Sequence, residues 1–296
     1  MSAKRVKKAV IAVAGYGTRF LPATKAVPKE LLPIVDKPIV QYLVEEAVAS
    51  GIEEIILVTR AGGGGIENHF DSARDLEVHL KDQGSQKYLD IIQAIPKLAS
   101  FAYVRQARHL PYGNGTPLLA AKGFIDEGEP FVYMFGDDLV LSKVPCVRQL
   151  LDLFEKYDPA AVIAFQEVAP EETCRYGIAK LKPGAKPTEM ESIVEKPAAG
   201  TAPTNLAQIG RFVLSSQVID ILEGIHVKAG KELYLTDAIA VMCREQRVLV
   251  HPIEGEWLTT GDPLRFMMAS VKYALQDPEI GPDFARFLST IELPKG

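Results

Sequence analysis

Three short stretches carry residue types suited to holding phosphates, a metal ion and a sugar. The first is Gly15-Tyr16-Gly17-Thr18-Arg19, followed ten residues later by Lys29. Two glycines let the backbone turn sharply, so the N–H groups of Gly15 to Thr18 can face phosphate oxygens. Arg19 adds a planar fork and Lys29 a point charge, the two cationic modes of phosphate binding. No Gly-Lys-Ser/Thr follows, and Phe20 stands where a third dinucleotide-loop glycine would be, so neither common nucleotide-loop pattern applies. A Gly-x-Gly alone would read as a tight turn. The added Thr-Arg and Pro28-Lys29-Glu30 turn the reading toward a polyphosphate cradle, with Lys25 in support.

The second stretch is Gly136-Asp137-Asp138 at the end of an apolar run. A carboxylate beyond the carboxyl end of a strand is placed to hold Mg²⁺ together with substrate phosphates. Successive strand side chains point opposite ways, so one of the pair is expected to reach the metal, and Asp137 is the choice. The third stretch is Val194-Glu195-Lys196-Pro197. Glu195 can accept from sugar hydroxyls and Lys196 can pair with a phosphate; alone, the stretch would read as a surface turn.

These residues need elements to position them. Residues 9–14 form an unbroken apolar run, the mark of a buried parallel strand. Residues 36–50 show helical apolar spacing, with Asp36 as expected N-cap, and residues 54–59 read as the next strand. Strand, helix, strand is a right-handed βαβ unit. Strands at 101–106 and 130–135 and a helix at 118–124 continue the pattern. Residues 71–98 read as a polar helical excursion. Beyond Asp158, strands at 160–168, 176–181, 189–194, 209–214 and 248–253 alternate with helices at 216–223, 235–243 and 262–275. Phe284, Phe287 and Leu288 in the tail suffice to dock a short helix.

The chain has 296 residues, 47% hydrophobic and 24% charged, with net charge −5. That composition supports a buried core and argues against broad nucleic-acid or membrane-surface binding. Three scattered cysteines without a C-x-x-C point to reduced thiols and a cytoplasmic location. The basic start before a six-residue apolar run is too short for a signal peptide, and no stretch is long enough to span a membrane. The five histidines show no metal spacing, and Cys146 and Trp257 read as packing residues. The stripe Leu264, Met267, Met268, Val271 and Leu275 reads as core or subunit interface.

Taken together, the sequence resembles the sugar-1-phosphate nucleotidylyltransferases, and within them the bacterial uridylyltransferase group. The resemblance rests on residues 14–25, Pro28-Lys29-Glu30, 33–38, Tyr103-Val104-Arg105-Gln106, Gly136-Asp137-Asp138, Tyr176-Gly177-Ile178, Val194-Glu195-Lys196-Pro197, Ile209-Gly210-Arg211 and 235–239, in family order. It implies a Rossmann-like three-layer α/β fold with a mixed, mostly parallel central sheet in one nucleotidyltransferase domain over 1–296. About 1–158 would be the nucleotide half, about 159–275 the sugar-phosphate half and 276–296 a tail. The implied reaction joins UTP and α-D-glucose 1-phosphate into UDP-glucose and pyrophosphate, with Mg²⁺. The implied site has Ala14, Gly15 and Gln106 on the uracil with Gly113 nearby, Gly17 and Thr18 in the nucleotide loop, and Arg19 and Lys29 on the triphosphate. Asp137 takes the metal, Gly177, Glu195 and Gly210 the sugar, and Lys196 its phosphate. Family members are usually dimers or tetramers.

Three departures from the family pattern stand out. Thr259 occupies a position where relatives often carry a second metal-binding Asp, leaving Asp137 with phosphates and water, or Asp262 as a substitute. The usual Gly-Leu-Gly-His is Gly113-Asn114-Gly115-Thr116, and the Gly62 to Gly65 run replaces a more basic segment. The alternatives are a relative that uses dTTP or another sugar phosphate, and a non-catalytic sugar-nucleotide sensor of the same fold.

Overall fold

The computed structural model describes residues 5–62, 64–228 and 230–292. The first four residues of the basic start, Gly63 of the glycine run and the last four residues of the tail lie outside the described residues. In chain order, β1 (Lys8–Ala12) leads into the proline-rich loop, which folds as three 3₁₀ turns, Thr18–Phe20, Ala23–Lys25 and Lys29–Leu31. β2 (Pro33–Ile34) and β3 (Lys37–Pro38) pair as a small antiparallel ribbon before α1 (Ile39–Ala49). The helix therefore begins three residues after the expected Asp36: Lys37 and Pro38 are spent on the ribbon, and Pro38, with extended ψ, takes the N-cap position. There follow β4 (Glu54–Thr59), α2 (Gly64–His69), α3 (Arg74–Asp82), α4 (Gln86–Ala94), β5 (Ser100–Arg105), α5 (Thr116–Ala121) and β6 (Pro130–Phe135).

The chain continues with β7 (Asp138–Leu141), α6 (Cys146–Tyr157), β8 (Ala161–Glu167), β9 (Gly177–Leu181), β10 (Met190–Glu195) and β11 (Leu206–Ser215). It closes with α7 (Gln217–Gly224), α8 (Leu235–Glu245), β12 (Val248–Pro252), β13 (Glu256–Thr259), α9 (Pro263–Gln276) and α10 (Gly281–Ser289). β6, β1, β4 and β5 are neighbouring parallel strands, and β12 lies parallel to β8. β11 runs antiparallel between β6 and β8 and also bridges β9, which pairs with β10. One nine-stranded mixed sheet results.

Strand alternation explains the layers. Ala9 and Ile11 of β1 join a core with Leu43 and Val44 of α1 and Leu150 of α6. Val10 points to the other face, toward Leu118 of α5, Leu222 of α7 and Ile239 of α8. Sequence periodicity did not reveal β7 and β13: each has four residues, and they pair only with each other, off the main sheet. Nor did it single out α6, although that helix buries Leu150, Leu151 and Phe154. The stripe on α9 is not core, since Leu264, Met267 and Met268 are all exposed. Cys146 and Cys243 are buried, Cys174 is exposed, and all three are free thiols. Among the described residues, no helix is long and apolar enough to cross a membrane.

A buried arginine ties β11 to α1 and to the Asp138 backbone. Arg211 on β11 is fully buried. Its guanidinium donates to both Glu46 carboxylate oxygens, with Nη2 to Oε2 at 2.7 Å, and to the carbonyls of Gly210 at 2.9 Å and Asp138 at 2.8 Å. A buried pair of this kind adds little over an apolar replacement of both members, but removing one member strands the other charge. Arg211→Met is expected to destabilise the fold by about 3–5 kcal/mol in urea denaturation. A loss below about 1 kcal/mol would show that Glu46 relaxes into solvent.

Candidate active site

The site lies beyond the carboxyl ends of β1 and β6, which are neighbours in the sheet. The sheet continues a little past both: Val13 N donates to Val58 O at 3.0 Å, and Gly136 N donates to Ala12 O at 3.1 Å. The chain then leaves β1 through Ala14 to Gly17. Gly17 has φ 62°, in the left-handed region that favours glycine, and its carbonyl accepts from Thr24 Oγ1 at 2.7 Å. Thr18 and Arg19 form the next 3₁₀ turn, and Pro28 delivers Lys29 back over the glycine loop.

Lys29 Nζ lies 2.5 Å from Asp137 Oδ2 and 3.9 Å from Glu30 Oε1. Asp137 ends the β6 turn, and its carbonyl accepts from Thr260 N at 2.7 Å and Thr260 Oγ1 at 2.8 Å. Arg19 Nη1 donates to Gly261 O at 3.2 Å, on the same segment. Two cations thus flank one carboxylate. Burial works to raise the Asp137 pKa, but Lys29 and then Arg19 outweigh it and hold the carboxyl below its usual value. Burial likewise opposes a charged Lys29, but Asp137 and Glu30 keep its pKa raised.

Asp138 points the other way, as strand alternation requires. It is buried, and its Oδ2 accepts from Gly210 N at 2.9 Å. Burial, and then the Asp137 charge, push Asp138 up to about 6. Gly210 was expected on the sugar. Its N–H donates to Asp138, and a Cβ there would fall 2.5 Å from Phe135 Cβ, so the two strands press close at this point.

Six of the residues singled out from sequence line one cavity of about 220 Å³: Ala14, Gly15, Lys29, Gln106, Gly113 and Asp137. Tyr112, Asn114, Glu30 and Glu232 complete much of its wall. Gly17, Thr18 and Arg19 are not part of this lining, and Lys25 is exposed. Gln106 is placed at the end of β5 by its N–H bond to Thr59 O at 2.8 Å. Gly113 has φ 145°, and a Cβ there would sit 2.2 Å from Leu233 O, so the loop that carries Gly113, expected near the base, passes directly against the segment before α8. A neighbouring cavity of about 470 Å³ shares Ala14, Gln106 and Tyr112 and is lined by Arg60 and Arg108.

Gly177, Glu195 and Lys196 form a second group. Glu195 ends β10 and accepts from Thr236 Oγ1 at 2.9 Å, and a Cβ on Gly177 would fall 3.3 Å from Glu195 Oε2. Lys196 Nζ is 3.5 Å from Glu195 Oε1. Burial raises the Glu195 pKa. Burial opposes the Lys196 charge, but Glu195 keeps the Lys196 pKa raised.

Residues 232–236 join the two groups, and sequence reasoning gave most of them no role. Glu232 lines the first cavity, and Leu233 exchanges backbone bonds with Tyr112 (2.7 Å) and Gly115 (3.0 Å). Leu235 N donates to Asn114 Oδ1 at 2.8 Å, and Thr236 meets Glu195. Only the Leu-Thr-Asp motif gave a hint. Glu30, quoted with Lys29, was also given no role. It is 1% exposed, and its Oε2 has no hydrogen-bond partner among the described residues.

As for a metal, Asp137 is the carboxylate of the cavity that stands at the strand end beside Lys29, with Thr259 Oγ1 close to the same spot: a Cβ on Gly261 would be 3.2 Å from Asp137 Oδ2 and 3.5 Å from Thr259 Oγ1. No cluster of three metal-ligating side chains exists among the described residues. That donor set fits Mg²⁺, an ion commonly bound through one or two carboxylates together with substrate phosphates, and Asp137 is the residue that would hold it. Asp262 is not a substitute. It caps α9, accepting from Arg265 N at 3.0 Å and Arg265 Nη1 at 2.8 Å.

Glu30 gives the site a pH signature. Burial pushes its pKa from about 4.5 up to about 7, against the pull of Lys29. A raised folded-state value means stability that is complete below about 4.5 and lost as pH rises through about 7. Between pH 5 and pH 8, Glu30→Gln is therefore expected to gain roughly 2–3 kcal/mol relative to the parent chain in denaturant unfolding. Parallel pH profiles for the two proteins would mean that Glu30 stays ionised in the fold.

Comparison with known proteins places this geometry. The nucleotidyl transferase family model matches residues 8–276. The chain is 44% identical over 293 residues to the UTP–glucose-1-phosphate uridylyltransferase of Staphylococcus epidermidis, covering 98% of this chain and all of that protein. Among solved structures, a UTP-bound UGPase from Acinetobacter baumannii superposes with TM-score 0.85 at 34% identity, covering 97% of this chain and 100% of that one. A UDP-glucose pyrophosphorylase complexed with UDP-glucose gives TM-score 0.81 at 35% identity, over 92% of this chain and 100% of that one. The mixed sheet, the cavity over β1 and β6 and these full-length matches agree: the chain belongs to the nucleotidyl transferase family, in its UTP–glucose-1-phosphate uridylyltransferase branch.

Proposed function

We infer that this chain catalyses uridylyl transfer from UTP to glucose 1-phosphate, yielding UDP-glucose and pyrophosphate. The observation that carries the reading is the meeting of Lys29, Asp137, Gly15, Gln106 and Gly113 around one cavity, in a chain whose full-length relatives bear that activity's name. The chemistry asks for little covalent help from the protein. A sugar phosphate has its second pKa near ~6, so it already carries nucleophilic oxygens at neutral pH and needs no general base. One of those oxygens bonds to the α-phosphorus of UTP as the bond from that phosphorus to the pyrophosphate oxygen breaks, and the electron pair leaves with pyrophosphate. Transfers of this type depend on alignment and charge neutralisation.

In this reading Ala14, Gly15, Gln106 and Gly113 hold the uracil end. Lys29 and Arg19 draw charge off the leaving pyrophosphate. Glu195 and the backbone at Gly177 hold the glucose, and Lys196 binds its phosphate. Asp137 is the residue that would hold Mg²⁺. When bound, such a cation neutralises phosphate oxygens and lowers the cost of crowding two anions together. The rest of the charge work falls to Lys29, Arg19 and Lys196.

The test is pyrophosphate release with a panel of nucleoside triphosphates and sugar 1-phosphates. UTP with glucose 1-phosphate is expected to exceed every other pair by at least about tenfold in kcat/KM, the low end of what a methyl-sized difference in a pocket supplies. Equal turnover of dTTP would overturn the uridylyl assignment. No turnover with any pair would favour a sugar-nucleotide sensor.

A further inference from the structure

Lys196 is held in a way that its pairing with Glu195 does not account for. Its side chain is about half exposed at 48%, and a free lysine there would sample many rotamers. Its backbone is fixed instead: φ is 44°, rare for a residue with a Cβ, and its N–H donates to Tyr176 O at 3.0 Å. The ammonium lies 4.8 Å from the centre of the Tyr234 ring and 3.5 Å from the Tyr234 hydroxyl. Glu195 accepts from Thr236 through Oε2, and its Oε1 lies 3.5 Å from the Lys196 ammonium, so the carboxylate and the ring hold the cation from two sides.

Tyr234 has little freedom of its own. It stands at the N-cap position of α8 between two buried leucines, Leu233 and Leu235. The backbone of both is bonded to the Gly113 loop: Leu233 N to Tyr112 O, and Leu235 N to Asn114 Oδ1. The backbone that carries the ring is therefore fixed relative to the cavity wall that carries Gly113. A tyrosine also restrains an ammonium without neutralising it. Its ring face attracts the cation, while its neutral hydroxyl does not compete with an arriving phosphate as a second carboxylate would.

We propose that Tyr234 is a positioning residue for Lys196, holding the ammonium in place for the phosphate of the sugar substrate. The inference rests on the reading of Lys196 given above. Preorganising a flexible cation lowers the cost of ordering it on binding, so the effect belongs in the affinity for glucose 1-phosphate. A cation–π contact at a half-exposed site corresponds to a change of about fivefold.

Steady-state kinetics on Tyr234→Leu, Tyr234→Phe and Lys196→Ala test this, with thermal melting of each variant as a control for folding. Tyr234→Leu is expected to raise KM for glucose 1-phosphate about fivefold, with kcat and KM for UTP within about twofold of the parent. Tyr234→Phe keeps the ring and is expected to restore most of that affinity. Lys196→Ala is expected to raise the same KM further. If Lys196→Ala leaves KM for glucose 1-phosphate unchanged, the role of Lys196 fails and the inference falls with it. If Lys196→Ala raises that KM but Tyr234→Leu does not, only the role of Tyr234 is overturned. A Tyr234→Leu variant that loses kcat and both affinities together, with a lowered melting temperature, would also overturn it in favour of a purely structural tyrosine.

Discussion

The contact of Lys29 with Asp137 is the interaction on which the rest of the site depends. Bringing a triphosphate and a sugar phosphate together concentrates negative charge, and the protein must answer with cations while keeping the Asp137 carboxylate charged beside them. Both needs meet within 2.5 Å, beyond the ends of two neighbouring parallel strands. Their mutual attraction outweighs the cost of burial, so both groups stay charged. Glu30 sits just beneath, where that cost is not recovered, and its pKa rises accordingly.

Much of the scaffold serves to hold this pair in register. β6 places Asp137, and its bonds to Thr260 fix the turn. Asp138, on the opposite face, is tied to Gly210, whose neighbour Arg211 bonds to the Asp138 carbonyl and reaches Glu46 on α1. A chain of buried polar contacts therefore runs from the first helix, under the Asp137 turn, to the antiparallel strand β11. Segment 232–236 does a similar job from above, touching the Gly113 loop on one side and Glu195 on the other. The two substrate groups are set apart in sequence but braced against one common strap.

The fold was legible in sequence where apolar periodicity was strong. The residue 9–14 run gave β1, and the stripes around Leu43 and Val271 gave α1 and α9. It was not legible where structure depends on partners distant in the chain. β7 and β13 are too short to show a period, and the start of α1 was shifted by a two-residue ribbon. The site divides the same way. Gly15, Lys29 and Asp137 announced themselves by residue type at strand ends, and alternation separated Asp137 from Asp138. Glu30, Glu232 and Tyr234 did not, because a lone Glu or Tyr in a loop carries no signal until the fold brings it to a cavity wall or beside a lysine.

The most direct measurement is the rate of pyrophosphate release by Asp137→Asn across a Mg²⁺ titration, with Lys29→Met alongside. Asparagine keeps the shape of the side chain and removes the charge that both Lys29 and a cation would use. The expected result is a fall in kcat of at least about 100-fold at saturating UTP and glucose 1-phosphate, with weakened dependence on Mg²⁺. A variant that retained the full Mg²⁺-dependent rate would contradict the central place given to the Lys29–Asp137 pair.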